Sequence, residues 1–269
     1  HEIHFITYSQ PVRLDNFSKN LIYHEVTIEP YPLFEYTPYE LILTSKLVDV
    51  ARNEKLDLLH VHYAIPHASA AYMARQILKS EGIYLPFVTT LHGTDITLVG
   101  KDDSYEPVIT FAINQSDAVT AVSESLKRDT IKYFPVNRKI HVIPNFICLE
   151  DYPLLKEDTL KMQLAPAGEK ILMHISNFRK VKRVEDTVRV FEKVRKKIPS
   201  KLILIGDGLE RHKVENLCRQ LGTCDDIKFL GKVKSTETIL SVADLFLLTS
   251  ETESFGLAAL EAMASGVPV

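Results

Sequence analysis

The sequence has no apolar run approaching the ~20 residues that a membrane-spanning helix needs, so no membrane span is expected. It has no block of basic residues, and its formal net charge is −3, which excludes the electrostatic footprint of a nucleic-acid-binding protein. Its cysteines are few, Cys148, Cys218 and Cys224, odd in number and without metal-ligand spacing. That usage fits a reducing compartment, and a cytoplasmic location is the expectation. Two chemical signatures are also missing. No G-x-G-x-x-G run with an acid about 20 residues later is present, which argues against a dinucleotide-binding oxidoreductase. No Asp-x-Asp pattern stands at a strand end, so no metal and no other cofactor is expected for catalysis. There is no internal repeat and no low-complexity stretch.

What is present is an ordinary globular composition, 45% apolar and 25% charged, able to bury a core over 269 residues. Short β-branched runs alternate with amphipathic stretches. Strands are expected at 2–8, 57–62, 86–91, 117–122, 139–143, 170–176, 201–205, 226–230 and 244–249. Helices are expected at 39–55, 67–80, 105–115, 123–133, 183–197, 209–221, 235–241 and 256–265. In 183–197, Val184, Val188, Phe191 and Val194 recur at helical spacing, with Lys and Arg on the other face. Such alternation predicts an α/β protein of doubly wound parallel sheets covered by helices. The rhythm breaks at 144–169, around Pro144, Pro153, Pro166 and Gly168. The expected organisation is a domain over 1–148, a linker over 149–168 and a second domain over 169–269, with a ligand cleft between two Rossmann-like halves. The chain opens at His1 directly in a strand-like run and stops at Gly266-Val267-Pro268-Val269, where a further strand would start. It is read as a piece truncated at both ends.

The most specific segment is Glu253-Ser254-Phe255-Gly256-Leu257-Ala258-Ala259-Leu260-Glu261, after the apolar run Leu245–Leu248. Gly256 admits a close approach to the backbone, and the free N–H groups of a helix start suit a diphosphate. Eight helical residues span about 12 Å, too far for paired glycosidase carboxylates at roughly 5–9.5 Å, so two separate hydroxyl-binding roles fit Glu253 and Glu261 better. An ordinary helix-start acid and a solvated glutamate is the alternative. Two other strand ends carry candidate residues in this half. Lys170–Ser176 runs into Asn177-Phe178-Arg179-Lys180-Val181-Lys182-Arg183, a concentration of cations at a helix start that only an anion would favour. Ile205 is followed by Gly206-Asp207-Gly208, which on its own is equally well a tight turn. In the first half, Thr89-Thr90-Leu91-His92-Gly93-Thr94-Asp95 ends one strand and His60-Val61-His62-Tyr63 ends another, with His60 and His62 on one face. His60, His62 and His67 lack an acidic partner at ligand spacing, which argues against a metal. Ser123 and Asn145 read equally well as an N-cap and a turn.

Glu-x7-Glu enclosing Ser-Phe-Gly-Leu and followed by Ala-x-Gly-x-Pro-Val resembles the signature of the retaining GT-B glycosyltransferases of family 4. The resemblance implies that Glu253 contacts the donor sugar, Glu261 the nucleotide ribose, and the backbone of Gly256 and Leu257, flanked by Ser254 and Phe255, the diphosphate. Lys182 falls on the family lysine that binds the leaving diphosphate. Asn177 stands where the family has an arginine, and Arg179 is the replacement charge. Gly206 and Gly208 match the turn beside the nucleotide. The segments 62–67, 89–97 and 176–183 are similar to family members that move N-acetylglucosamine from UDP to the hydroxyl of L-malate in the first step of bacillithiol biosynthesis. This implies small-molecule partners UDP-GlcNAc and L-malate, acceptor-binding roles for Tyr63, Thr89 and Thr90, and contact of His92 with the donor sugar. Catalysis would rest on His92, Lys182 and Glu253. The family's Gly-rich loop is expected before residue 1, so the piece alone is expected to be inactive. The alternatives are a family 4 transferase with another sugar or lipid acceptor, an oxidoreductase, or a non-catalytic nucleotide-sugar-binding module. A homo-oligomer is compatible with the sequence.

Overall fold

A computed structural model describes residues 1–11, 14, 18–28, 37–98, 102–152 and 158–269. Two compact units divide the chain, His1–Pro144 and Asn145–Val269.

The first unit runs β1 (Ile3–Thr7), β2 (Leu21–Glu25), α1 (Tyr39–Glu54), β3 (Leu59–His62), α2 (Ser69–Ser80), β4 (Phe87–Leu91), α3 (Glu106–Gln115), β5 (Ala118–Ala121), α4 (Glu124–Tyr133) and β6 (Ile140–Val142). β1 and β2 form a parallel pair, and β3-β4-β5-β6 form a parallel four-stranded sheet in chain order. β2 was not expected from the sequence, because it is half-buried from Leu21 to His24, exposed at Glu25, and shows no clean alternation. α4 starts where Ser123 Oγ accepts from Leu126 N–H at 3.1 Å, so Ser123 is an N-cap. Leu43, Leu47, Ala74, Leu78, Leu59, Val61 and Phe87 close the core between α1, α2 and the strands.

The second unit runs α5 (Asp158–Leu164), β7 (Lys170–Ile175), α6 (Val184–Arg195), β8 (Ser200–Ile205), α7 (Arg211–Gln220), β9 (Ile227–Gly231), α8 (Glu237–Leu240), β10 (Leu245–Phe246) and α9 (Leu257–Ala264). Its sheet order is β10-β7-β8-β9, all parallel. Strand alternation sorts the two cores. Ile171, Met173 and Ile203 face Leu164, Leu240 and Ala262, while Leu172, Leu202 and Leu204 face Val184, Val188, Phe191 and Val214 of α6 and α7. Each such fully buried aliphatic side chain contributes about 1.5–3 kcal/mol.

Two features depart from expectation. Residues 153–157 of the expected linker lie outside the described residues, but Tyr152, Leu164 and Ala165 are buried in the second unit's core, because α5 presents an apolar side to β7 and β8. The cysteine count points to a reducing compartment, yet Cys218 at the end of α7 is joined by a disulfide to Cys224, whose Cα the intervening turn brings to 5.1 Å; Cys148 is free and exposed. Among the described residues, no helix is long and apolar enough to cross a membrane.

Candidate active site

The second unit's sheet has a switch point. The chain builds β7, β8 and β9 outward in one direction, then returns to lay β10 on the other side of β7. Loops that leave the carboxyl ends of β7 and β10 therefore diverge from neighbouring strands and leave a crevice, the usual ligand position in open α/β sheets. Both specific motifs of this half stand in these two loops.

After β7 the chain forms a 3-10 turn, Lys180–Lys182, and passes through Arg183 at φ 50° into α6. The glycines after β8 set the position of this basic turn. A Cβ on Gly206, at φ +115°, would lie 1.8 Å from the Ser176 carbonyl oxygen, and one on Gly208 would lie 2.6 Å from that of Phe178. The fully buried Phe178 donates its N–H to Asp207 O at 3.0 Å, and its own carbonyl accepts from Glu210 N–H at 2.9 Å. Gly206 and Gly208 are thus accounted for by the contact between two strand-end loops, which lets the cationic segment sit against the sheet.

The loop after β10 is stitched to the same turn. Glu251 N–H donates to Val181 O at 2.9 Å, and Thr249 Oγ1 lies 2.8 Å from Thr187 Oγ1 and 3.1 Å from the Lys182 carbonyl oxygen. Beneath them the buried His174 bridges the two strand ends, with Nδ1 2.8 Å from Leu247 O and Nε2 2.8 Å from Ser176 Oγ. Burial pushes its pKa down, so the ring is neutral, donating to the carbonyl through Nδ1 and accepting the serine hydroxyl at Nε2. Thr249, Thr187, Ser176 and His174 carry no motif of their own, and sequence reasoning missed them. The consequence of this stitching is an ion pair between residues far apart in the chain: Lys182 Nζ lies 2.6 Å from Glu253 Oε1. Arg183 pairs with Asp186 at the start of α6, whereas Arg179 is exposed and has no ion pair among the described residues. Ser254 and Phe255 are half-buried. Gly256 adopts φ +87° as the residue before α9, with nothing within 4 Å of where a Cβ would stand. Leu257 opens the helix, whose first N–H groups have no intrahelical acceptor. Glu261 lies one turn further in, partly buried.

The first unit gathers imidazoles instead of charges. β3 and β4 end side by side, and Tyr63, at the unusual φ of 77°, donates its N–H to Thr90 O at 2.9 Å. His62 Nδ1 lies 2.7 Å from His92 Nε2, and His60 Nε2 lies 2.7 Å from Thr90 Oγ1, which is itself 2.7 Å from Thr120 Oγ1. The rings of His60 and His62 stack at 4.9 Å, and Tyr63 sits 5.1 Å from His92. Desolvation, then the neighbouring His92, His60 and His67, pushes the His62 pKa down to about 4; desolvation, then His60, lowers that of His92. Both rings are therefore neutral near pH 7. The buried carboxylate of Asp95 holds the two loops together, accepting from Ala64 N–H at 2.6 Å and Gly93 N–H at 3.3 Å. Its pKa is raised by burial against those hydrogen bonds. Asp95 stands in the His-Gly-Thr-Asp motif, and that polar run at a strand's carboxyl end is the signal that points to it. Thr89 is not brought to this group. Strand alternation turns it to the opposite face, where it is fully buried with Oγ1 2.8 Å from Ser116 Oγ. Of the two threonines expected to touch a ligand, the structure presents only Thr90 on the imidazole side. His67 Nδ1 is taken up by the His62 carbonyl oxygen, at 2.5 Å.

Comparison with known proteins agrees with this geometry. The family described as Glycosyltransferase Family 4 matches residues 1–151, and that described as Glycosyl transferases group 1 matches residues 156–269. The N-acetyl-alpha-D-glucosaminyl L-malate synthase of Bacillus anthracis is 49% identical over all 269 residues, which span 70% of its length. Among solved structures, Anabaena HepE in complex with UDP and glucose superposes with a TM-score of 0.76 at 22% identity, over 93% of this chain and 67% of that one. The sucrose-phosphate synthase of Thermosynechococcus elongatus superposes with a TM-score of 0.74 at 20% identity, over 99% and 70%. Two Rossmann-like units of parallel sheet, a crevice bearing Glu-x7-Glu at a helix start, and sequence matches over both halves lead to one assignment: the chain belongs to the family 4 glycosyltransferases of GT-B fold.

Proposed function

We propose that the protein transfers N-acetylglucosamine from UDP-GlcNAc to the hydroxyl of L-malate with retention of the α configuration, without a catalytic metal. The observation that carries this reading is the 49% identity, unbroken over the whole chain, to an enzyme named for that product. The site supports it chemically. Loss of UDP develops negative charge on the diphosphate, and the largest catalytic term is donors already aimed at that charge. Lys182, Arg179 and the N–H groups at Gly256 and Leu257 supply them, beside half-buried Ser254 and Phe255. Gly206 and Gly208 act by fixing the basic turn. The Lys182–Glu253 pair gives Lys182 a resting partner, and Glu253 turns to the sugar hydroxyls when the diphosphate takes over the lysine. Glu261 binds the ribose. With the ammonium and helix N–H groups already present, no divalent ion is needed to neutralise the leaving group.

In the first unit, His92 contacts the donor sugar as a neutral hydrogen-bonding group, its orientation held by His62. Tyr63 and Thr90 hold the acceptor, and Thr89 supports them from within the core. The acceptor hydroxyl attacks from the face the diphosphate leaves, and a phosphate oxygen takes the proton. The test is release of UDP from UDP-GlcNAc by the whole protein, with and without L-malate. Malate-dependent release is expected, and it should survive a chelator. Release that ignores malate but responds to a sugar or lipid acceptor would keep the transferase and remove the acceptor assignment.

A further inference from the structure

Outside the donor and acceptor groups, a second set of ionisable side chains converges on the first unit. His4 on β1, His24 on β2 and Glu54 at the end of α1 bring one ligand-capable atom each to within 4.8 Å of one another. The register places His4 beside Ile22 and His24 beside Ile6, so the two imidazoles lie diagonally on one face of the parallel pair. His4 Nδ1 is 2.8 Å from His24 Nε2, and the rings stack at 5.1 Å with an interplanar angle of 17°.

Three observations go beyond a histidine hydrogen bond. The His4 side chain is only 3% exposed, and its Nε2 is 3.0 Å from Glu2 Oε1. A carboxylate accepting at Nε2 holds that proton and leaves the Nδ1 lone pair directed at His24, the orientation that outer carboxylates impose on metal-binding histidines. Secondly, Glu54 lies in the last turn of α1, where the helix dipole adds partial negative charge and favours a cation. Thirdly, the charged groups facing His24 from α1 are Glu54, Asp49 and Lys46, and Glu2 faces His4 from the strand side, so carboxylates outnumber the single cation. Two imidazole nitrogens and one carboxylate are a donor set for zinc-class ions, with a fourth position left to water.

We propose that His4 Nδ1, His24 Nε2 and the Glu54 carboxylate bind a divalent transition cation of the zinc class, which ties the end of α1 to β1 and β2. These elements carry none of the donor- or acceptor-binding residues, so the ion is a structural clip and takes no part in the transfer reaction. A small opening of the two rings, which now share a proton between them, admits the ion. Binding to the folded state alone raises stability with ion concentration.

The test is calorimetric titration of Zn2+ into chelator-treated 269-residue protein without a histidine tag, with Co2+ absorption as a second readout. One equivalent is expected to bind and to raise the melting temperature, with Co2+ giving visible bands of a low-coordinate site. His24→Ala should abolish the response. Glu54→Gln, at an exposed position that the fold tolerates, should weaken affinity at least 10-fold. Absence of stoichiometric binding, or binding that both variants retain unchanged, would overturn the proposal, the latter by placing the ion elsewhere, for instance on the histidines at the ends of β3 and β4.

Discussion

The two units end their parallel strands in different chemistry. In the second, the loops after β7 and β10 hold a pre-formed ion pair, Lys182–Glu253, beside a helix start, and buried polar side chains lock the loops together. In the first, the ends of β3 and β4 hold neutral imidazoles linked ring to ring, with one buried carboxylate tying the following backbones. On the function proposed above, the difference follows from what each would meet. A diphosphate that gains charge as it leaves is stabilised by fixed positive groups. A sugar ring and a hydroxyl acceptor call for neutral donors and acceptors. Lowered pKa values keep His62 and His92 uncharged, and Arg179, without an ion pair among the described residues, adds positive charge to the second unit's group.

The comparison breaks most directly at Lys182. Lys182→Ala in the whole protein should lower kcat by about 10²–10³-fold, the loss seen when one aimed donor to a developing anion is removed. Unchanged steady-state kinetics would take Lys182 out of the site. The second unit's charged group also depends on its glycine packing. Gly206→Ala puts a Cβ into the Ser176 carbonyl at positive φ and should destabilise the fold by about 3 kcal/mol or more, from strain and overpacking together. Gly256→Ala meets open space and should cost only about 1–2 kcal/mol for its left-handed backbone. Denaturant midpoints of the two variants decide this, and equal losses would sink the packing account of Gly206. The smallest effect is expected in the first unit and appears only with pH. His62 has a folded pKa of about 4 against 6.5 unperturbed, so its contribution to stability is complete above pH 6.5 and is lost as pH falls towards 4. His62→Asn keeps a polar atom near the Nδ1 position and should flatten the stability–pH slope in that window. An unaltered slope would show that His62 does not stay neutral.

Much of this architecture was readable before any coordinates. The 3.6-residue spacing of Val184, Val188 and Phe191 and the apolar runs expected at 170–176 and 201–205 mark elements found within a few residues of those bounds. Glu253, Gly256 and Glu261 announced themselves by spacing around a helix start. Less was legible where side chains act on one another across the fold. Leu21–Glu25 is a strand only because β1 pairs with it. Tyr152 and Leu164 looked like linker because α5 is short, and its burial depends on β7 and β8. The His4–His24–Glu54 group draws on three elements, none of which carries a ligand spacing by itself.

The α/β alternation, the motif at the start of α9 and the basic turn after β7 were already set by local pattern, because periodicity, glycine and charge act over a few neighbouring residues. Long-range packing was needed to place Thr90 with the histidines and bury Thr89 behind them, and to bring Lys182 to Glu253. The first depends on which sheet face the helices cover, and the second on the return of β10 to the far side of β7. Both are set by long-range packing and strand order, which no local pattern encodes.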